Sequence, residues 1–444
     1  MKRLMLIAVV AATALLQFQG LAFAESSKET RQCIACHEEN MPGIVKQWAG
    51  SAHDKAGVGC YECHKANKGE SDAQDHHGFL VAVIVSPRDC GVCHAKETAE
   101  QEASHHAAAG DILNTKDGIL GQTIGGEPAV SVGCRQCHGS LVKVNADGTL
   151  DASTWPNTGI GRVNPDGSKG TCSACHTRHR FSREQARKPE NCGKCHLGPD
   201  HPQKEVYEES KHGILYRAFG DQMNMDQKKW VAGEDYYDAA TCASCHMSAS
   251  RNQGVTHDVG NRLSWNLRAP ISKRTKDSAK KLGSMKDVCS SCHGNNFVEG
   301  FYTQLDEFVE FYNSKFAIPA KEIRSLLMEE GVISKSDFDD KIDWTYFELW
   351  HHEGRRARHG AAMSGPDYAW WHGIYDVAKN FYTQLLPEAK EACEKAGKPE
   401  VYEKIIATYI DGRPEHQWYT QGFDPARLDK MKQYYQERYN QKVE

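Results

Sequence analysis

The chain has 444 residues, of which 39% are hydrophobic and 25% are charged, and its formal net charge at pH 7 is −5. A mildly acidic chain without a basic block is a poor binder of nucleic acid, so nucleic acid is excluded as a partner. The length allows two or three domains, but the hydrophobic fraction is low for cores of that size. Something other than aliphatic side chains is therefore expected to fill the interior.

The first 24 residues have the pattern of an export signal. Lys2 and Arg3 precede an apolar run from Leu4 to Leu16, and Ala22-Phe23-Ala24 fits a small-x-small cleavage site. The alternative is an uncleaved anchor, but the run is short against the roughly 20 residues that span a bilayer. Residues 1–24 are therefore predicted to be a cleaved signal peptide. The mature protein is expected to be soluble and periplasmic or otherwise exported.

Sixteen of the 17 cysteines fall into eight pairs, and each pair has two residues between its cysteines and a histidine directly after it. The eight motifs are, in chain order, Cys33, Cys36 and His37; Cys60, Cys63 and His64; Cys90, Cys93 and His94; Cys134, Cys137 and His138; Cys172, Cys175 and His176; Cys192, Cys195 and His196; Cys242, Cys245 and His246; and Cys289, Cys292 and His293. In an exported protein many cysteines usually indicate disulfides, and a single motif could be a zinc site or a redox dithiol.

The regular Cys-x-x-Cys-His spacing favours c-type haem attachment instead. Two thiols add to the haem vinyl groups, and the adjacent histidine ligates the iron. Eight motifs predict eight covalently bound haem c groups, which would supply the missing apolar volume and form the core. Cys393 remains, and it is expected to be an ordinary free thiol.

The motifs divide the mature chain into two predicted regions. Residues 25–297 form an octahaem-binding domain with little regular strand, and 145–170 and 261–286 are expected to be surface loops. Residues 298–444 form a long-helix region that serves oligomerisation and contributes to the active site. Helical spacing of apolar residues there predicts helices at 301–316, 320–330, 368–396, 400–410 and 425–441. The predicted fold class is mainly α, a haem-stapled multihaem cytochrome c.

Further histidines are candidates for the second axial position of each haem. Seven stand in contexts that suit a distal ligand: His53, His77, His106, His179, His212, His257 and His359. His76 and His105 are alternatives to their neighbours His77 and His106. Seven distal ligands for eight haems would leave one iron open to substrate, as a catalytic haem requires.

The chain resembles the octahaem hydroxylamine oxidoreductase family over nearly all of its mature length. The resemblance rests on the eight motifs in order, on Cys172-Ser-Ala-Cys-His-Thr-Arg-His179 and on Cys192-Gly-Lys-Cys-His-Leu-Gly-Pro-Asp-His201-Pro. It also rests on Gly354-Arg-Arg-Ala-Arg-His359-Gly and on Pro366-Asp-Tyr-Ala-Trp-Trp-His372-Gly. The family includes hydroxylamine-oxidising enzymes and nitrite-reducing relatives.

The resemblance implies that the fourth haem, on Cys134, Cys137 and His138, is five-coordinate and catalytic. It implies that Asp200 and His201 form the distal acid-base pair. An aspartate beside a histidine can orient the ring and suit it to proton transfer. The alternative is that Asp200 is a turn residue and His201 a further haem ligand.

Three functions follow from these expectations. The first is reduction of nitrite or hydroxylamine to ammonia. The second is hydroxylamine oxidation, for which the resemblance implies a tyrosine cross-linked to the catalytic haem of a neighbouring subunit, with Tyr368 as the candidate. The third is a non-catalytic electron conduit. The family also implies a homotrimer, and the chemistry requires a redox partner, either a cytochrome c or a membrane quinol-linked cytochrome.

Overall fold

The structure is a computed structural model that describes residues 25–439, so the predicted signal peptide at 1–24 lies outside the described residues. The chain divides into two compact units. One runs to Ala186 and includes His257–Val259, and the other comprises Arg187–Thr256 and the chain from Gly260 onward. No helix among the described residues is long and apolar enough to cross a bilayer.

The first unit is built from short helices that are joined by turns. Its α-helices are Lys28–Asn40, Pro42–Trp48, Ala52–Lys55, Cys60–His64, Pro87–Gly91, Ala95–Glu102, Lys116–Gly118, Glu127–Val132, Cys134–His138 and Arg183–Arg187 at the boundary. It also has 3-10 helices at Ala109–Asn114 and Cys172–Ala174 and a π-helix at Ile119–Gly125. One antiparallel hairpin pairs Gln74–His76 with Phe79–Val81.

The second unit begins with comparably short segments and continues into longer helices. The first part contains Pro189–Gly193, Gln203–Glu209, Lys211–Phe219, the 3-10 turn Gly220–Gln222, Cys242–His246 and Ser278–Cys289, with a hairpin of Trp265–Asn266 and Lys273–Arg274. The later α-helices are Asn295–Tyr312, Ile318–Glu329, Lys341–Glu348, Gly354–Ala362, Pro366–Ala369, Asp376–Asn380, Leu386–Lys395, Pro399–Ile405, Trp418–Gln421 and Pro425–Tyr439. Short π-helical segments continue several of these helices, at Asn313–Ala317, Leu349–Glu353, Trp370–Tyr375, Phe381–Leu385 and Ile406–Asp411.

The core of the second unit is carried by its long helices. The helix Asn295–Tyr312 buries Val298, Leu305 and Val309 at helical spacing, and Trp265 packs against the same cluster. Capping is local and regular: Ser210 Oγ accepts from Gly213 N at 3.1 Å and starts the helix Lys211–Phe219. The mainly α fold with few short strands is therefore confirmed.

Two parts of the second unit differ from the sequence prediction. The predicted loop at 261–286 contains a hairpin and then enters the helix Ser278–Cys289, and Arg262 and Ser272 within it are buried. The helical run from Lys341 to Ala362 was not predicted. Two of its arginines, Arg355 and Arg358, are buried.

Candidate haem sites and a partly buried acid-base network

The motif cysteines are arranged for attachment rather than for disulfides. All 17 cysteines are free. Several motifs form one short helix, as Cys60–His64, Cys134–His138 and Cys242–His246 do. One helical turn places cysteines i and i+3 on the same face, so both thiols of a motif can meet one planar group. The motifs therefore fit covalent haem.

The second cysteine of several motifs departs from this helical arrangement. Cys93, Cys175 and Cys195 lie in turns, just after the helical segments that hold Cys90, Cys172 and Cys192. Each turn is closed by a backbone bond from the second cysteine N–H to the first cysteine carbonyl, at 3.2 Å in all three motifs. This bond keeps the two cysteines of a motif one turn apart without a continuing helix. Haem attachment at Cys93, Cys175 and Cys195 stays a prediction that the turn geometry permits.

Burial of the motif thiols by the polypeptide alone varies along the chain. Cys36, Cys93 and Cys292 are exposed, and Cys175 and Cys195 are half-buried. Cys36 lies on the helix Lys28–Asn40, where its Sγ is 3.5 Å from Asn40 Nδ2. A haem attached at an exposed thiol would itself cover that thiol, so the expectation of a haem-filled core stays a prediction.

Backbone carbonyls orient two of the motif histidines. Nδ1 of His64 donates to the carbonyl of Ala82 at 2.8 Å, and Nδ1 of His138 donates to the carbonyl of Ala109 at 3.2 Å. These bonds fix the tautomer and place the lone pair of each ring on Nε2. A backbone acceptor behind a metal-bound imidazole is the usual arrangement of such sites.

Five motif histidines face a second histidine ring at a nearly constant distance. The ring centroids lie 6.0 Å apart for His37 and His76, 6.2 Å for His53 and His94, 6.4 Å for His64 and His179, 6.4 Å for His176 and His257, and 6.0 Å for His212 and His293. A metal about 2 Å from each of two imidazole nitrogens separates the ring centroids by roughly 6 Å. The pairs therefore have the spacing that two axial ligands of one iron require.

The protonation states of these rings also suit ligation. Burial lowers the pKa of His53, His179 and His212, and in each case the charge of the facing motif histidine adds to the effect. Burial also lowers the pKa of His257, and it lowers the pKa of His176 to about 4. The rings are thus neutral near pH 7, which is the form that binds iron.

The predicted distal residues are placed as follows. His53, His179, His212 and His257 each face a motif histidine. In the first hairpin the ring that faces His37 belongs to His76, and His77 packs against His76 with centroids 4.7 Å apart. His106 lies in a turn where its backbone N–H donates to Ser104 Oγ at 3.2 Å.

Apolar side chains beside the motifs are turned away from the polypeptide interior. Val92, inside the third motif, is 84% exposed, and Val132, just before the fourth, is 78% exposed. Phe297 is 64% exposed, and its ring stacks on the eighth motif histidine, His293, with centroids 4.8 Å apart. A porphyrin plane is an apolar partner of the right size and place for these side chains.

Attachment sites of different motifs lie side by side within each unit. In the first unit Cys90 and Cys172 are close enough for their thiols to interact, which brings the third and fifth motifs together. In the second unit Cys192 and Cys242 are close enough for their thiols to interact, which brings the sixth and seventh motifs together. Haems attached at these thiols would be near neighbours, as electron exchange between them requires.

Asp200 and His201 form a hydrogen-bonded pair within the second unit. Nδ1 of His201 donates to Oδ1 of Asp200 at 2.6 Å, and Arg355 Nη1 donates to Oδ2 at 3.3 Å. Burial would raise the pKa of Asp200, but the bond from His201 and the charges of His201, His351 and Arg355 lower it to about 2. Asp200 is therefore a carboxylate that holds one nitrogen of His201 and leaves Nε2 for proton transfer.

His359 and the sixth motif lie beside this pair. The His201 ring lies 6.0 Å from the His196 ring at an angle of 67°. His359 is buried, and its Nε2 is 3.5 Å from Gln203 Nε2. Burial lowers the pKa of His359 to about 3, and the charges of Arg358, Arg355, His201 and His196 add to this effect. A neutral, buried His359 in these surroundings has the properties of a haem ligand.

Tyr368 lies at the surface of the second unit, in the short helix Pro366–Ala369. Its backbone N–H and that of Asp367 donate to Glu209 Oε1, and its ring lies 5.4 Å from the His372 ring. Trp370 and Trp371 beside it are more than half exposed. Tyr368 is thus held by its backbone and leaves a partly exposed ring.

Sequence reasoning did not identify Arg355 and His351 as part of this network. Arg355 was quoted within the Gly354–His359 motif without a role, and His351 was not singled out. Their spacing could have identified them. His351, Arg355 and His359 are four residues apart, so on a helix they share one face. That face is buried in the structure.

Comparison with known proteins agrees with the site geometry. Three family models match the sequence: "Seven times multi-haem cytochrome CxxCH" over residues 165–338, "Cytochrome c7 and related cytochrome c" over 125–197, and "Cytochrome c554 and c-prime" over 11–65. These matches support a multihaem c-type cytochrome with covalently bound haem c.

More particularly, its relatives lie among hydroxylamine-oxidoreductase-like multihaem proteins, so the resemblance expected from the motifs is confirmed. A "Probable nitrite reductase-hydroxylamine oxidoreductase fusion protein" of Kuenenia stuttgartiensis is 26% identical over 477 residues, covering 81% of this chain. The chain spans 51% of that relative's length.

Two solved structures share the fold. A "Hypothetical multiheme protein" is 25% identical with a TM-score of 0.73, covering 85% of this chain and all of the other. A chain of a reducing HAO-like protein complex of Kuenenia stuttgartiensis is 20% identical with a TM-score of 0.58, covering 85% and 87% of the two chains.

Proposed function

We propose that this protein is an octahaem oxidoreductase that reduces nitrite or hydroxylamine to ammonia at one open haem. The observation that carries the proposal is the Asp200–His201 pair, which Arg355 holds in a partly buried network next to the sixth motif. A pure electron conduit needs no acid-base pair. The name of the Kuenenia fusion protein, which joins nitrite reductase and hydroxylamine oxidoreductase, supports the class of substrate.

The proposal assigns a haem c to each of the eight motifs, with the fourth, on Cys134, Cys137 and His138, as the catalytic one. When bound, the haems supply electron storage and an iron that binds nitrogen compounds. The facing histidine pairs support two axial ligands at five of the other sites. His359 is proposed as a further distal ligand, and so is His106 or its neighbour His105.

The chain's own residues handle protons in this reaction. Reduction of nitrite to ammonia takes six electrons and several protons, so each cleavage of an N–O bond needs a proton source. Nε2 of His201 delivers the proton, while Asp200 accepts the Nδ1–H and stabilises the imidazolium form. Arg355 is the buried cation behind Asp200.

The same architecture could run in the oxidative direction. Hydroxylamine oxidation would require the Tyr368 cross-link to haem that the family resemblance implies. Tyr368 has a partly exposed ring, which is compatible with contact to another subunit. A mass adduct joining the Tyr368 peptide to haem would favour oxidation, and a free Tyr368 would favour reduction.

The decisive experiment is turnover of the purified holoprotein in both directions. Nitrite and hydroxylamine are supplied with reduced viologen, and hydroxylamine is supplied with an oxidant, while ferric spectra are recorded. The proposal requires a high-spin ferric signal and ammonia as the reductive product. A holoprotein with only low-spin haem and no turnover would leave the electron conduit as the function.

Intact mass tests the haem count, and six haems or fewer would contradict the octahaem assignment. Peptide mapping of the haem-bearing fragments tests each motif in turn. The motifs with an exposed or turn-held second cysteine are the critical ones, and their second cysteines are Cys36, Cys93, Cys175, Cys195 and Cys292.

The proposal also includes the setting of the enzyme. Export after cleavage of residues 1–24 would bring the thiols to the compartment where c-type haems are attached. A cytochrome c or a membrane quinol-linked cytochrome would supply the electrons. A homotrimer would cover apolar side chains that are exposed in one chain, such as Trp370, Trp371 and Tyr434.

A further inference from the structure

Arg355 connects the acid-base pair to the helix Gly354–Ala362. The side chain of Arg355 is 10% exposed, and its guanidinium has three polar partners. Nε donates to the carbonyl of Arg268 at 2.9 Å, while Nη1 donates to His351 Nε2 at 3.0 Å and to Asp200 Oδ2 at 3.3 Å. The guanidinium carbon also lies 5.2 Å from the centre of the Trp350 ring. The cation is therefore fixed on several sides.

A buried guanidinium is costly to desolvate, and proteins retain one where its bonds are needed. Arg358, one turn along the same helix, provides the comparison. All of its described hydrogen bonds go to the carbonyls of Gly354, Ala269 and Trp350 and to the hydroxyl of Ser272. Arg358 thus ties backbone segments together, whereas Arg355 points its charge at the carboxylate of Asp200.

The consequence for His201 follows from the two oxygens of Asp200. Arg355 holds Oδ2, so Oδ1 is directed to His201 Nδ1 and accepts its hydrogen at 2.6 Å. The tautomer that places a lone pair on Nε2 is thereby fixed, and the ring plane is fixed with it. A neutral amide in place of the guanidinium would leave Asp200 free to rotate.

We propose that Arg355 is a positioning residue for catalysis, which orients the Asp200–His201 pair through the Oδ2 oxygen of Asp200. This inference rests on the proposed function, because it gives Arg355 a role only if His201 transfers protons to substrate. Arg355 acts through Asp200 and need not touch the substrate. Its loss should therefore lower kcat and leave KM nearly unchanged.

The test compares Arg355→Gln with Arg356→Gln in the holoprotein, with hydroxylamine and reduced viologen as the substrates. Arg356 is the neighbouring residue on the same helix, and it pairs with Asp376 at 3.3 Å rather than with Asp200. For Arg355→Gln we expect kcat to fall by roughly 10- to 100-fold, since a mispositioned acid-base group loses much of its usual 10²- to 10⁴-fold effect. Arg356→Gln should keep wild-type kcat, and both variants should keep their haem count and low-spin spectra.

Rescue by a conservative variant separates positioning from a merely structural role. Arg355→Lys keeps the charge but loses the planar fork, so it should recover part of the kcat that Arg355→Gln loses, with KM near the wild-type value in both variants.

Each outcome bears on a different claim. Equal kcat for wild type, Arg355→Gln and Arg356→Gln would overturn the inference and leave the proposed function intact. If Arg355→Gln loses haem, Arg355→Lys decides: a lowered kcat with full haem content supports the inference, and a wild-type kcat overturns it. A wild-type protein without turnover would overturn the proposed function itself, and this inference with it.

Discussion

Nδ1 of His201 donates a hydrogen bond of 2.6 Å to Oδ1 of Asp200, the residue directly before it in the chain. The turn between Pro199 and Pro202 limits the backbone on both sides of the pair. A histidine that is held by its neighbour keeps Nε2 pointed in a direction that the backbone sets. This geometry leads to the first prediction.

His201→Ala should keep all attached haems and the spectra of the low-spin haems, because the side chain is proposed to transfer protons and not to bind iron. Turnover of nitrite or hydroxylamine should fall by roughly 10²- to 10⁴-fold. Asp200→Asn should lower kcat more than it raises KM, since an amide cannot stabilise the imidazolium. Steady-state kinetics beside intact mass checks both variants.

The competing assignment of His201 as a haem ligand gives a different result. Its removal would convert one low-spin haem to high-spin and would shift that haem's potential. The His201 and His196 rings lie 6.0 Å apart, which is also the spacing of the proposed axial pairs, so this assignment has to be tested. Unchanged spin states together with unchanged turnover would contradict both assignments.

A second prediction concerns the first hairpin. The His76 ring lies 6.0 Å from His37, whereas His77 packs on His76. His76→Ala should therefore remove one axial ligand and produce a new high-spin ferric signal, and His77→Ala should not. Electron paramagnetic resonance on the two holoproteins distinguishes them, and the reverse pattern would restore His77 as the distal ligand expected from sequence.

The first hairpin shows which parts of a haem site the sequence predicts and which it does not. The motif spacing predicts the attachment residues because covalent chemistry fixes that spacing. His76 is the last residue of the strand Gln74–His76, whereas His77 begins the turn and has a positive φ of 54°. Which of the two adjacent histidines faces His37 therefore depends on where the strand ends, and the motif spacing does not set that point.

The motif spacing also does not predict the local backbone conformation of each motif. Cys63 lies within a helix and Cys93 lies in a turn, although both stand three residues after the first cysteine of a motif. The i to i+3 backbone bond is common to a helical turn and to an isolated turn, so both satisfy the same covalent requirement.

The sequence also does not predict which polar side chains are buried. The sequence gives no sign that His351 and Arg355 are buried, because polar side chains are usually exposed and only tertiary partners make their burial possible. The long helices after Asn295 were easier to predict, because Leu305 and Val309 repeat with helical periodicity. Sequence patterns thus predicted apolar packing and covalent sites better than polar networks.

A third prediction concerns His416, which is fully buried in the second unit. Its Nε2 donates to the carbonyl of Lys315 at 2.8 Å, and its Nδ1 accepts from the Tyr382 hydroxyl at 2.7 Å. Burial lowers the pKa of His416 to about 4, against the bond to Lys315, which raises it. Both nitrogens are satisfied only when the ring is neutral.

Because the folded pKa lies below the unfolded value of about 6.5, the unfolded state binds the proton more readily. The contribution of His416 to stability is therefore complete above a pH of about 6.5 and is lost as the pH falls towards the folded pKa. The loss amounts to at most about 3 kcal/mol. Urea unfolding at mildly alkaline and at acidic pH should show a smaller difference for His416→Gln than for wild type, and equal differences would contradict the assignment.

The last prediction concerns assembly through the helix Pro425–Tyr439. All of its residues are exposed in the single chain, among them Leu428, Met431 and Tyr435 at helical spacing. An apolar stripe of this kind is costly to leave in water, at about 25 cal/mol for each Å² of apolar surface. We therefore expect the holoprotein to be a trimer in which this helix is covered.

Two glutamates on the stripe test this contact. Met431→Glu together with Leu428→Glu should weaken the trimer, because both charges would have to be buried without a partner. Lys430→Glu changes the net charge equally but lies on another face of the helix, so it should leave the trimer intact. Sedimentation velocity at micromolar concentration measures the outcome, and a monodisperse wild-type monomer would contradict the trimer. A stable trimer that tolerates both glutamates would instead place the contact elsewhere, with the exposed Trp370 and Trp371 as the next surface to test.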